Sequence, residues 1–422
     1  MSILAALAKL VLVLAAGSEV LALPTTRSQQ LVTRTTNPTV SESNLAAISL
    51  DPNYQRDSCV SATSLINGRV LWVCRDTQVL VDESIDDEFN GQAGDFVSSS
   101  ASWSDQLGTQ PHLVPIPSNQ GQQQATSGYP AQLTMYGGDT TSTSFLPYAS
   151  DECDQNGNQA GTGGTCASDG TRYPLWIDSP PYVYQGSDGS ATAYVYMMRT
   201  HIQGLTNLAS TFPTSLYQIN YDSSSSSNSL PSVELINEYW FPDGVFNYGD
   251  FGGITGTLDG KLYLYGQGLS KSNNGHQPVA LARCSNPTDL STYEYYYNDG
   301  TWSTTQAQVD DQSAWLDGEF GKGGTFFYSD YTNSYLWIGQ PTGAIGATVM
   351  VSSASSPEGP WSTPTQIANL PSGDSYAYSV AAHPEMSSNS QQIYLTYTLQ
   401  KFYDGNSNDI YYEQPLYMFT WD

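Results

Sequence analysis

The sequence predicts an all-β protein, and within that class a five-bladed β-propeller. From Asp51 onwards, short β-branched and aromatic runs alternate with clusters of Gly, Pro, Asn, Asp and Ser, and no stretch holds a 3.6-residue apolar period over three turns. Five pairs of runs then share one shape: a run of small and apolar residues, a turn signal, and an aliphatic or aromatic run. The first members are Val60 to Ile66, Pro180 to Tyr184, Phe251 to Leu258, Gly323 to Ser329 and Tyr378 to Ala382. The turns are Asn67-Gly68, Asp188-Gly189, Asp259-Gly260, Thr332-Asn333 and Ser388-Asn389, and the second members are Val70 to Val73, Ala193 to Met197, Leu262 to Tyr265, Tyr335 to Ile338 and Ile393 to Tyr397. Small side chains suit the crowded strand nearest a propeller axis, and larger ones fill the space between blades. Each such unit buries little alone and gains stability from its neighbours. A large β-sandwich is the alternative architecture, but it does not call for five similar hairpins.

The segments before Asp51 read differently. Lys9 is the only charge before Glu19, within an apolar run that continues to Ala16, and small residues follow at Gly17, Ser18 and Ala22. Residues 1–22 are therefore expected to be a signal peptide, with cleavage between Ser18 and Leu23. A membrane anchor needs roughly 20 unbroken apolar residues, and Gly17, Ser18 and Glu19 interrupt the run. The expected location is secreted and extracellular, with no membrane partner. Residues 23–50 are rich in Thr, Ser, Gln and Asn and are expected to form a disordered propeptide or linker, which leaves 51–422 as the propeller domain. Ser223 to Ser227 reads as a loop tip.

Charge narrows the partners. Forty acidic residues against 13 basic ones give a formal charge of −27, so nucleic acid and anionic membrane surfaces are repelled at long range. Neutral sugars and cationic partners remain, and solubility at acidic pH accounts for much of the bias. Thirty tyrosines and nine tryptophans suit pleated strands and sugar-stacking clefts alike. A monomer is expected. Of the five cysteines, Cys153 and Cys166 bracket a glycine-rich loop and are expected to form a local disulfide. Cys59 and Cys74 lie on consecutive expected strands and can pair with each other, or either can reach Cys284. Asp154-Gln155-Asn156-Gly157-Asn158 mimics the start of a calcium loop, but its glycine is misplaced and Thr165 stands where the bidentate glutamate belongs. With no phosphate-binding loop, zinc-ligand spacing or Gly-x-Ser-x-Gly elbow in the sequence, no metal and no cofactor is expected.

Two carboxylates stand out. Arg56-Asp57 precedes the first small run, and Arg75-Asp76-Thr77 follows Leu71-Trp72-Val73. In a hairpin turning at Asn67-Gly68, Asp57 and Asp76 approach the same rim. Two carboxyl groups at one end of a propeller channel are what glycosidic cleavage requires, one protonated and one ionised, and proximity drives their pKa values apart.

Arg56-Asp57, Gly68-Arg69-Val70-Leu71-Trp72-Val73 and Asp76-Thr77 together resemble the opening blade of a large microbial family of five-bladed propellers long known only as of unknown function, some of whose members are glycoside hydrolases with endo-D-arabinanase activity. The resemblance continues through Ala280-Leu281-Ala282-Arg283, Gly318-Glu319-Phe320-Gly321 and Ala382-His383-Pro384-Glu385 before Tyr394-Leu395-Thr396-Tyr397. It implies that Asp57 and Asp76 are the catalytic pair and that the substrate is a polysaccharide, with an arabinan-like polymer as the candidate. The sequence departs from the family at Cys74-Arg75, where an aromatic residue and glycine are usual. A catalytically silent carbohydrate-binding or cell-surface propeller is the competing reading.

Blade register adds further rim positions. Asp178, Asp250 and Glu319 precede the second, third and fourth small runs, and His383 follows the fifth. An aspartate beside a strand is most often a turn cap, and it is the recurrence that singles these out. With Arg56 and with Trp176, a ring able to stack on a sugar face, they make up the expected substrate-binding set.

Overall fold

The computed structural model describes residues 35–422, apart from 63–64, 66–67, 81–92, 116–130, 139–142, 151, 153–170, 186–189, 210–211, 223–227, 256–258, 269–276, 344–345, 373–375, 388 and 404–405. The expected signal peptide, the Cys153 and Cys166 pair, the calcium-like stretch and the serine loop tip lie outside the described residues.

Each small run pairs antiparallel with the larger run that follows it, at rungs such as Val60↔Val73, Tyr182↔Tyr194, Gly253↔Leu264, Phe327↔Leu336 and Ala382↔Leu395. Every one of these hairpins grows outward into a blade. Blade 1 runs Cys59–Ser61, Arg69–Cys74, Ser100–Leu107 and Gln110–Pro111; blade 2 runs Tyr182–Gln185, Ala191–Met198, Thr214–Tyr221 and Ser232–Phe241. Blade 3 begins at Gly252–Ile254 and Leu262–Gln267, blade 4 at Lys322–Ser329 and Ser334–Gln340, and blade 5 at Ala377–His383 and Gln392–Tyr403. The molecule is a five-bladed β-propeller, and the helical residues among those described are three short 3₁₀ turns at Leu290–Thr292, Gln312–Ala314 and Pro384–Met386. No helix of the described residues is long and apolar enough to cross a membrane.

The core lies between blades. Leu71, Val73 and Trp103 of blade 1 pack on Val195, Met197 and Ile219 of blade 2, and Tyr196 and Leu216 pack on Leu264 and Ala282 of blade 3. Tyr265 of blade 3 stacks on Phe326 of blade 4 at 3.8 Å, Leu336 and Val351 meet Leu395 and Phe419, and Met386 and Leu416 of blade 5 return to Val70 and Trp72 of blade 1. The ring closes through apolar contacts that no blade makes alone, each fully buried large side chain stabilising the fold by about 1.5–3 kcal/mol. On the first strand of blade 3, glycines make room for rings from the first strands of blades 2 and 4. A Cβ added at Gly253 would stand 2.7 Å from the Tyr182 ring, and one at Gly252 would stand 2.5 Å from the ring of Phe326.

One expected boundary is corrected. Residues 40–50, placed by composition in a disordered segment, form the strand Val40–Leu50, which pairs antiparallel with Asn406–Trp421 as the fourth strand of blade 5. The physical reason is closure: a ring needs one blade that joins the two ends of the chain, and this strand joins them. Ser41 to Asn44 are polar and exposed while Ala47 to Leu50 are buried, so the segment has no alternation for a periodicity reading to detect.

Cys59 and Cys74 face each other across the first hairpin and form a disulfide, and Cys284 is free and buried between blades 2 and 3.

Candidate functional site

The innermost strands all begin on one face, here called the entry face. In blade 1 the hairpin does not stop at its disulfide rung: the Arg75 amide donates to the Ser58 carbonyl at 2.8 Å and the Asp57 amide to the Asp76 carbonyl at 2.9 Å. The same two chain segments continue as Tyr54–Arg56 paired with Thr77–Leu80 in a separate small sheet. Asp57 and Asp76 therefore share a rung at the break between two sheets, where the backbone leaves the blade.

Their surroundings differ. The Asp57 carboxyl accepts from the Tyr378 hydroxyl and, at 3.1 Å, from Ser58. Burial pushes its pKa up, with Arg75 and the Tyr378 bond opposing and the nearby Asp76 adding to the rise. The Asp57 carbonyl accepts from Thr398 at 2.6 Å and from Gln414, which fastens the rung to blade 5. Asp76 instead meets the fork of Arg172, at 2.9 Å and 2.5 Å to its two oxygens. That guanidinium also lies over the rings of Phe96 and Trp176, at 5.3 Å and 5.5 Å.

Arg75 joins these groups to the rest of the ring. It forms an ion pair with Asp178, and its Nε donates to the Ile177 carbonyl at 3.0 Å, which anchors the loop leading into blade 2. Asp250 precedes the first strand of blade 3 and accepts from the Met198 amide at 2.7 Å. Burial raises its pKa to about 7, against the opposing pull of that hydrogen bond and of Arg75. Lys322 opens the first strand of blade 4; partial burial lowers its pKa, the charge on Arg75 lowers it further, and Asp57 opposes both. On blade 5, burial raises the pKa of Tyr378, and Arg75 acts against that rise. Every blade thus sends a group to within electrostatic reach of this guanidinium.

Of the residues expected from sequence, Asp57, Asp76, Asp178 and Asp250 come together here, with Trp176 beside them. Glu319 is exposed on the loop before Lys322. Arg56 turns away from the site: it is buried on an ion pair with Asp51 at 2.9 Å and on the hydroxyls of Ser100 and Ser102. His383 stands at the far end of its strand, about 16 Å beyond Tyr378 at the usual rise per residue. There it is buried, bonded to Ser61 at 2.5 Å and Thr396 at 2.7 Å, with its ring against Trp72. Sequence reasoning missed Arg172, Tyr378 and Lys322. The blade register was a signal for Tyr378 and Lys322, since both sit where an innermost strand begins; Arg172 gives no such signal. Among the described residues no three His, Cys, Asp or Glu side chains are grouped to hold a metal ion.

Residues 182–415 match a family described as "Domain of unknown function (DUF5005)". No curated protein matches the chain. Among solved structures, a candidate hydrolase from Bacteroides ovatus ATCC 8483 aligns with a TM-score of 0.53 at 15% identity, over 86% of this chain and 85% of its own, a likeness of fold. Zg3597, a family 117 glycoside hydrolase from Zobellia galactanivorans, aligns at 0.43 with 10% identity over 91% and 92% of the two chains. A GH43_1 enzyme from Xanthomonas citri aligns at 0.38 with 12% identity over 86% and 87%.

Proposed function

This chain belongs to the DUF5005 family of domains of unknown function, a membership that names no chemistry, and we propose from its entry face that it is a secreted glycoside hydrolase acting on a polysaccharide. One observation carries the reading. Two carboxyl groups share a rung in unlike environments: Asp57 is half-buried with a pKa raised by desolvation, and Asp76 is ion-paired with Arg172. In that division of labour Asp57 gives its proton to the departing glycosidic oxygen, and Asp76 works from the other side of the sugar on the anomeric carbon or on a water that attacks it. Tyr378 orients the acid through its hydroxyl, and Arg75 keeps the pKa of Asp57 from rising further. Asp178 and Asp250 flank the pair from blades 2 and 3 as groups for sugar hydroxyls. The disulfide between Cys59 and Cys74 suits an oxidising compartment and supports secretion. An arabinan-like polymer is the first substrate to try, on the resemblance of the opening blade.

A second reading is a propeller that binds a glycan without cutting it. It is favoured by the Arg172 fork, which occupies both oxygens of Asp76. The experiment that separates the two is a panel of soluble arabinan, galactan, arabinogalactan and xylan, scored for new reducing ends and, in parallel, for retardation of the protein in a polysaccharide gel. Reducing ends that vanish with Asp57→Asn establish the hydrolase. Retardation without product establishes the binding protein, and neither outcome on any polymer overturns both.

A further inference from the structure

We propose that a glycan chain lies radially across the entry side of blade 2, from the carboxylate rung to Tyr239, on rings held in place by Arg199. The inference rests on the reading of this face as a polysaccharide site and adds where the chain runs. Its inner end is fixed by Arg172, whose fork meets Asp76 and whose guanidinium lies over Trp176. Arg172 is part of the short strand Thr171–Arg172, which pairs with Ile202–Gln203. The next residue, Tyr173, stacks flat on His201 with ring centres 4.2 Å apart and planes 1° apart. Arg199 then lies over two rings, Tyr173 at 5.5 Å and Tyr239 at 4.9 Å. Arg172 and Tyr173 are consecutive in the chain and Arg199 ties Tyr173 to Tyr239 on the outermost strand of blade 2, so these residues connect the candidate catalytic rung to the blade's outer edge.

Packing alone does not account for this arrangement. Arg199 is 8% exposed and is held from within by Glu152 at 2.5 Å, so a buried ion pair fixes the cation that fixes the rings. Tyr239 is 53% exposed and its hydroxyl accepts from Arg199. Ordering a side chain costs rotamer entropy, which burial ordinarily offsets; here the ring is ordered while its surface stays open to water. Nearer the rung, the face of the Trp176 ring lies 5.5 Å from the Arg172 guanidinium, so the cation that meets Asp76 also holds this ring. Aromatic rings and cations already paired within the protein are the chemistry of a neutral, hydroxyl-rich chain; an anionic polymer would need an unpaired cation on this track.

The test uses the full chain on the same four soluble polymers. Tyr239→Ala and His201→Ala should each weaken retardation in the polysaccharide gel about threefold to tenfold, the range of a lost aromatic contact. Tyr239→Phe, which keeps the ring, should restore most of it. Where reducing ends are produced, the alanine variants should lose activity on polymer and keep it on the shortest oligosaccharide that is cut. Retardation unchanged in both alanine variants, in a protein that still binds or cuts a polymer, overturns the track and leaves the proposed function standing. A wild-type protein that neither binds nor cuts any of the four overturns the track together with the function on which it rests. Equal loss in Tyr239→Ala and Tyr239→Phe, with a lowered melting temperature in each, assigns the tyrosine to support of Arg199 and also overturns the inference.

Discussion

The Asp57 amide donates to the Asp76 carbonyl across 2.9 Å, and this single bond puts two carboxylic acids on one rung with unlike partners. Replacing each acid should therefore produce the same loss of turnover with opposite effects on stability. Asparagine at either position removes a titrating group, and positioned acid–base chemistry is worth about 100- to 10,000-fold. Asp57→Asn also removes a carboxyl that burial penalises when it ionises, so at neutral pH the melting temperature should hold or rise. Asp76→Asn removes the carboxylate that meets the fork of Arg172, itself 9% exposed, and replaces a charged pair with a weaker neutral contact, so the melting temperature should fall. Reducing-end assays and thermal melts at one pH decide it, and activity in Asp57→Asn that merely follows the folded fraction would remove Asp57 from the chemistry.

Arg75 lowers the pKa of both Asp57 and Asp250. Removing that charge lets both rise further. In Arg75→Gln the alkaline limb of kcat/KM, which follows loss of the acid's proton, should consequently move to higher pH, while the acid limb moves less. A rate that falls by one factor at every pH, with both limbs fixed, would mean that Arg75 only tethers the loop through Asp178 and the Ile177 carbonyl.

What the sequence could show here divides along physical lines. The five hairpins were legible because each pairs neighbouring segments across a short turn, and the small-then-large alternation survives in the residues themselves. Asp57 and Asp76 were legible for the same reason, since their rung belongs to one local hairpin. Arg172 was not, because its contact with Asp76 spans 96 residues and no local pattern encodes it. Nor was the inward turn of Arg56, which depends on Asp51, Ser100 and Ser102 rather than on the adjacent Asp57. Register placed His383 after the fifth small run, yet a position after a strand lies at the opposite end from one before it, and the side chain is buried beneath Trp72.

Closure by Val40–Leu50 carries its own prediction. A chain starting at Thr35 should melt as the full chain does, whereas one starting at Asp51 should not. Without the strand, Asn406–Trp421 loses its partner from Val40↔Trp421 to Ser49↔Gln414, and Ala47 leaves the core shared with Val70 and Trp72. Unpaired backbone and an apolar edge are exposed together, and the expected outcome is aggregation or a loss of cooperative unfolding. Equal melting temperatures for the two shortened chains would show that the ring holds without this strand.

The far end of the channel offers a pH test independent of catalysis. Ser61 donates to Glu385, and burial raises the Glu385 pKa from 4.5 to about 8. The folded chain therefore holds that proton more tightly than the unfolded chain. Its contribution is fully present below about pH 4.5, falls by about 1.4 kcal/mol per pH unit as the unfolded carboxyl ionises, and levels off above about pH 8. The adjacent His383 acts in the opposite sense: burial lowers its pKa from 6.5 to about 3, so stability falls as pH drops through that interval. Glutamine at position 385 keeps an acceptor for Ser61 and removes the titration. The melting temperature of Glu385→Gln should differ little from wild type at pH 4, gain on it steadily to pH 8, and hold a constant lead beyond. A difference that stays flat from pH 4 to pH 9 would mean that Glu385 ionises in the folded protein as it does in water, and that the Ser61 bond is made to a carboxylate already reached by solvent.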